Sequence, residues 1–132
     1  MKKEDIWDYI RVVNIRGDED FQATKDEKVI IGHRGSSVLG NNHPMKSQTM
    51  KERDRVIVEF NKDLQKDLQA EGPIYQLLDL IAEDIIENEQ KIALECFCVP
   101  CDCHLNKVVP VIVKMVEKKW DKKYNNASKL KM

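Results

Sequence analysis

Between Thr49 and Glu89 the chain carries two amphipathic helical stripes that share one break, Gly72-Pro73, and a short β run stands on either side of the pair. No other feature restricts the fold as much. The first stripe opens on a capping box, Thr49 with Glu52 three residues on, in which the threonine oxygen accepts from the Glu52 N–H and Glu52 reaches back. Met50, Ile57, Phe60, Leu64 and Leu68 follow at helical spacing. Gly72 ends that helix, and Pro73, whose fixed φ suits a first helical position, starts the next. The second stripe presents Ile74, Leu77, Leu78, Ile81 and Ile85 to a core. Before the pair, Val29, Ile30 and Ile31 form an unbroken apolar run closed by Gly32, the pattern of a strand buried on both faces. After it, residues 91–97 alternate Ile92, Leu94 and Cys96 against Ala93, Glu95 and Phe97, a strand pattern. Strands joined through helices predict a parallel, right-handed crossover.

The rest of the chain extends this scheme. Ile10, Val12, Val13 and Ile15 predict a first short strand, and the polar stretch 21–28 a turn or hairpin. Residues 33–48, rich in Gly, Ser, Asn and Pro, read as a long loop of the kind that is usually functional or disordered. A last helix carries Leu105, Val108, Ile112, Met115 and Val116 on one side, with Pro110 expected to kink it or mark its true start. The order strand, strand, helix, helix, strand, helix gives an α/β fold: a small mixed or parallel sheet flanked by helices, Rossmann-like, in one domain. With 132 residues there is room for one core and not two. The expected boundaries are a domain over 1–120 and a basic C-terminal tail over 121–132.

Composition narrows the function classes. Hydrophobic residues make up 42% and charged residues 34%, a globular balance. No apolar run approaches the ~18–20 residues of a membrane span. The N-terminus has no apolar signal stretch after its charges. The expectation is a cytoplasmic protein with no membrane partner. A net charge of −1 makes a nucleic-acid partner unlikely on whole-molecule grounds. The charge is uneven, with Asp79, Glu83, Asp84, Glu87 and Glu89 in one stretch and Lys114, Lys118, Lys119, Lys122, Lys123, Lys129 and Lys131 in another. A solvated helix face followed by a frayed tail accounts for this, and a phosphate-contacting tail is the alternative.

All four cysteines, Cys96, Cys98, Cys101 and Cys103, fall within eight residues, with His104 next. A disulfide framework spreads its cysteines, so clustering points to metal, catalysis or redox chemistry. Three readings stay open. Cys103 and His104 at the start of the last helix, with Asp102 as N-cap, would place a thiol where helix N–H groups favour the thiolate. Zinc could use Cys98, Cys101, Cys103 and His104, with His33 or His43 completing the set. Cys98-Val-Pro-Cys101 has the spacing of a thioredoxin-type redox pair. Cys96 by itself has the parity of Ile92 and Leu94 and fits core packing.

Cys96, Cys98, Pro100, Cys103 and His104 match the pattern C-x-C-x-P-x-x-C-H, and the chain here resembles an uncharacterised family, domain of unknown function 4326. Upstream, Ile31-Gly32, the stretch from Gly35 to Asn41, and Pro44 are similar to that family's glycine-rich loop. Arg53 stands where the family often has an arginine at the start of its long helix. The likeness spans roughly residues 11–117. Asn42 and His43 intervene before Pro44, Cys101 is not in the pattern, and Glu95 replaces a usually small residue. The resemblance implies a small α/β protein of bacteria or their viruses and carries no activity.

Ligands of open α/β sheets collect beyond the carboxyl ends of the strands. If the second and third strands are parallel neighbours, His33, Arg34, Asn41 and His43 converge on the cysteines and His104. A glycine loop after a strand and a helix N-terminus both suit phosphate. The leading expectation is therefore a site that binds or processes a phosphorylated, nucleotide-like small molecule. Arg34, Gly40, Asn41, Arg53 and Cys98 would contact the ligand, and Cys103 and His104 would supply chemistry. No cofactor is favoured, with zinc as the alternative. The rival functions are a zinc-stabilised binding module and a viral or accessory protein that acts by contact with a protein partner.

Overall fold

The computed structural model describes residues 2–14, 26–31, 39, 49–96 and 104–130, with backbone only for Asn14, Ile31, Arg53, Cys96 and 125–130. A 3-10 helix, Lys3–Tyr9, leads into β1 (Ile10–Asn14). Then come β2 (Glu27–Ile31), α1 (Met50–Ala70), α2 (Pro73–Asn88), β3 (Lys91–Cys96) and α3 (Leu105–Leu130). The fold is α/β. The strands form one parallel sheet in the order β1-β3-β2, with β3 in the centre. No helix among the described residues is long and apolar enough to cross a membrane.

Register assigns the two faces. Ile10 and Lys28 flank Ile92, and Val12 and Ile30 flank Leu94, so these share one face. Ile10, Ile92 and Leu94 belong to the main apolar cluster with residues of all the helices, and Val12 and Ile30 pack against it. Val13 and Ala93, on the opposite face, are buried outside that cluster. There Arg11 of β1 reaches past β3 to Glu27 of β2, its Nη2 donating to Oε1 at 2.7 Å. Ala93, the register partner of Arg11, is small enough to let the bridge pass. The doubly wound layering of a Rossmann fold goes beyond the described elements, whose common core lies on one face.

Two strand readings change. The apolar run Val29 to Ile31 belongs to an edge strand, and Val29 is 37% exposed. The strand buried on both faces is β3, where Ile92, Ala93 and Leu94 are all at or below 1%. Apolar runs and alternation register which residues tolerate burial, whereas position in a sheet follows from which neighbours pair. The stretch 21–28 is not all turn, because β2 already starts at Glu27.

The helices follow their stripes closely. In α1, Val56, Ile57, Phe60 and Leu64 are buried, but Met50 is 56% exposed. It sits in the first turn, beyond the reach of the core. The Thr49 side chain accepts from the Glu52 N–H at 3.2 Å, as the capping box requires, and the Glu52 carboxylate also accepts from Nε and Nη2 of Arg55, each at 3.0 Å. Gly72 is the N-cap of α2 and Pro73 its first residue. Gly72 has no side chain to cap with. Asp67 of α1 does this instead, accepting from the N–H groups of Ile74 and Tyr75 at 3.1 and 2.7 Å.

Pro110 neither starts nor ends α3. It lies inside the helix at an exposed position, where the missing N–H removes only one intrahelical bond. The helix also continues to Leu130, so the boundary drawn at 120 falls within it. The charge asymmetry has a structural cause. Lys119 of α3 pairs with Asp79 and Glu83 of α2 at 3.0 and 2.8 Å, and Lys123 pairs with Glu87 at 3.5 Å. Part of each stretch, Asp79, Glu83 and Glu87 on α2 and Lys119 and Lys123 on α3, thus faces the other across two packed helices.

Candidate functional site

Because the sheet is parallel, all three strands end at the same edge. Asn14 is paired with Cys96, and Ile31 with Glu95, at that edge. In the chain, residues 32–48 follow β2 and residues 97–103 follow β3. β2 and β3 therefore end side by side and run the same way, the arrangement in which open α/β sheets hold ligands.

At one described point the chain after β2 reaches the start of α3. Leu39, from the segment after β2, is fully buried in the main cluster, and its carbonyl oxygen lies 2.7 Å from His104 Nε2. His104 itself is 4% exposed and is the residue from which α3 starts, its own carbonyl accepting from the Lys107 N–H at 3.0 Å. The imidazole also stands edge-on to Phe60 of α1, with centroids 4.7 Å apart and planes at 70°. A carbonyl only accepts, so Nε2 donates and carries the proton in this bond. Acid–base or ligand chemistry at His104 that keeps the bond has to use Nδ1.

The first helical residue of α3 is Leu105. Asp102 and Cys103, expected as N-cap and as the thiol at the start of the helix, lie outside the described residues. The helix is set by the burial of Leu105 and Val108, both at 0%, which fixes where the first turn can begin.

Of the other expected site residues, Arg53 has its backbone in the first turn of α1, and Cys96 ends β3. Arg34, Gly40, Asn41, Cys98, Cys101, Cys103, His33 and His43 lie outside the described residues. Among the described residues no three His, Cys, Asp or Glu side chains gather as a metal site would need, and all four cysteine side chains fall outside that set. Two participants escaped the sequence reading, Leu39 and Phe60. The signal for Leu39 was its place in the apolar pair Val38-Leu39 within a Gly-, Ser- and Asn-rich stretch. Phe60 looked like any other member of its helical stripe.

A family model for a domain of unknown function, DUF4326, matches residues 13–115, from β1 through the middle of α3. The chain belongs to this family. The match takes in the end of β1, all of β2, α1, α2 and β3, the Leu39–His104 junction and the first part of α3. No curated protein and no solved structure matches the chain.

Proposed function

We propose that this DUF4326 domain binds, and acts on, a phosphorylated nucleotide-like small molecule at the carboxyl edge of its parallel sheet. The observation that supports this reading is the hydrogen bond between Leu39 and His104, which ties the segment after β2 to the segment after β3 beside the start of α3. Glycine-rich backbone and helix N-termini are the fold's means of holding phosphate, because both present unpaired N–H groups. In this reading Arg34, Gly40, Asn41, Arg53 and Cys98 contact the ligand. Cys103, next to the positive end of α3, supplies a thiolate, and His104 orients it or exchanges a proton through Nδ1.

The test is isothermal titration of the full chain with ATP, ADP, GTP, AMP and NAD, repeated on Arg53→Ala and Asn41→Ala. At least one nucleotide is expected to bind saturably, and each substitution to weaken it about tenfold, roughly 1.4 kcal/mol. Bound at a hundred times its dissociation constant, that ligand raises stability by about 2.7 kcal/mol. Absence of binding across the panel, or affinities indifferent to both substitutions, rejects the reading.

A further inference from the structure

The three long helices border an open concavity away from the sheet edge. α1 and α3 both pack on α2, and between the three lies a groove of about 520 Å³. That volume falls within the roughly 300–1,000 Å³ of small-molecule sites. Its apolar lining is Leu68 from α1 and Val111 and Met115 from α3, each half-buried and packed against the core, with Tyr75 of α2 beside them. Lys114 and Lys118, one turn apart on α3, also line it. Two ammonium groups at that spacing, with Cβ atoms about 5–6 Å apart, can share one anion.

Charge pairing sets these two lysines apart from the third lysine of the groove. Lys119, also at the groove, is held by Asp79 and Glu83. Among the described residues Lys114 and Lys118 have no such acidic partner. The groove therefore combines an apolar wall with uncompensated positive charge. Exposed lysines alone hold a free anion weakly, because water screens them. A shallow apolar wall alone is a weak site for the same lack of enclosure. A ligand that uses both at once is what this surface fits.

We infer that the groove is a second binding site, for a compact amphiphilic anion: an apolar ring or chain that carries a phosphate or a carboxylate. Such a ligand lays its apolar body on Leu68, Val111 and Met115 and its anion between Lys114 and Lys118. The site lies about 10–20 Å along α3 from His104, at ~1.5 Å per residue, and is distinct from the sheet edge.

The probes are 1-naphthyl phosphate and 1-naphthoate, titrated by fluorescence into the full chain, with 1-naphthol and inorganic phosphate as the separate halves. At least one intact probe is expected to bind with a single saturable site, tenfold or more tighter than either half. The preference between the two probes tells phosphate from carboxylate as the natural head group. K114Q/K118Q is expected to weaken it at least tenfold, and K62Q/K66Q, on exposed positions of α1, to leave it unchanged. All four lysines are exposed, so neither variant threatens the fold. Equal binding of 1-naphthol, or indifference to K114Q/K118Q, overturns the inference. Arg53→Ala separates the two sites: it should leave probe binding intact, and a loss there would assign the probe to the sheet edge and overturn the groove site.

Discussion

His104 is a polar side chain inside an apolar cluster, and such a group is stable only when its hydrogen bonds are made. Here the imidazole N–H satisfies the Leu39 carbonyl, itself a backbone acceptor shut away from water. Replacing His104 by leucine keeps the volume apolar but leaves that carbonyl without a donor. The expected cost is about 1–3 kcal/mol, read as a lower urea midpoint at unchanged slope. A midpoint within error of the parent would mean that the 39–104 junction does not stabilise the fold. The residue was legible as chemistry in the sequence, since histidine beside four cysteines invites a functional reading. Its partner was not, because a backbone carbonyl has no sequence signature.

Among the elements, the α1–α2 junction shows how one helix can cap another. Asp67 holds the first two free N–H groups of α2 only because Gly72 has no Cβ. A Cβ at Gly72 would lie 2.5 Å from Asp67 Oδ2 and 3.0 Å from Cγ. Gly72→Ala must therefore displace the carboxylate from Ile74 and Tyr75. Asp67→Ala removes the same two bonds. Each substitution is expected to cost about 0.5–2 kcal/mol, as for loss of a helix cap. The double variant should cost little more than either, because both break one interaction. Additive losses in a chemical-denaturation cycle would sink this account. Gly72-Pro73 announced the break in the sequence, but the capping residue stands in the preceding helix and could be assigned only once the helices had packed.

The α2–α3 contact sets packing against charge. Leu78, Ile85, Ile112 and Val116 are fully buried in the shared core, and each contributes about 1.5–3 kcal/mol. The Lys119 pairs are part-exposed and together contribute under about 1 kcal/mol. Packing decides that the helices meet, and charge adjusts their register. The hydrogen bond to Glu83, with Asp79 adding to it, holds the Lys119 ammonium above its ordinary range of about 10.5. A raised lysine contributes fully below its unfolded value and loses that contribution as pH rises through the folded one. Stability from this group should therefore be flat from pH 7 to about 10 and fall above that. Lys119→Met should flatten the alkaline fall, as followed by thermal melts across that range. An unchanged profile would remove Lys119 as its source.

At the scale of the whole molecule, the central position of β3 makes it the last part to open. Its residues pair with β1 on one side and β2 on the other, with both faces covered. Amide exchange at Ile92, Ala93 and Leu94 should require global unfolding, whereas β2, an edge strand with Val29 exposed, should exchange through smaller openings. Faster exchange at β3 than at β2 would contradict the strand order.

The division between sequence and tertiary structure follows from the range of the forces involved. Helical stripes, the Thr49 cap and the Gly72-Pro73 break are local, each decided within a few residues by periodicity or backbone geometry. They were sufficient to give an α/β fold with a mixed or parallel sheet, and membership of the DUF4326 family was also legible in the sequence. The order β1-β3-β2, the capping of α2 by Asp67 and the pairing of the acidic α2 with the basic α3 all join residues far apart in the chain. So does the bond between Leu39 and His104. Each depends on which surfaces meet once apolar area is buried, and that burial is non-directional. It specifies that the elements pack, and leaves to the folded geometry which partners come within hydrogen-bonding reach.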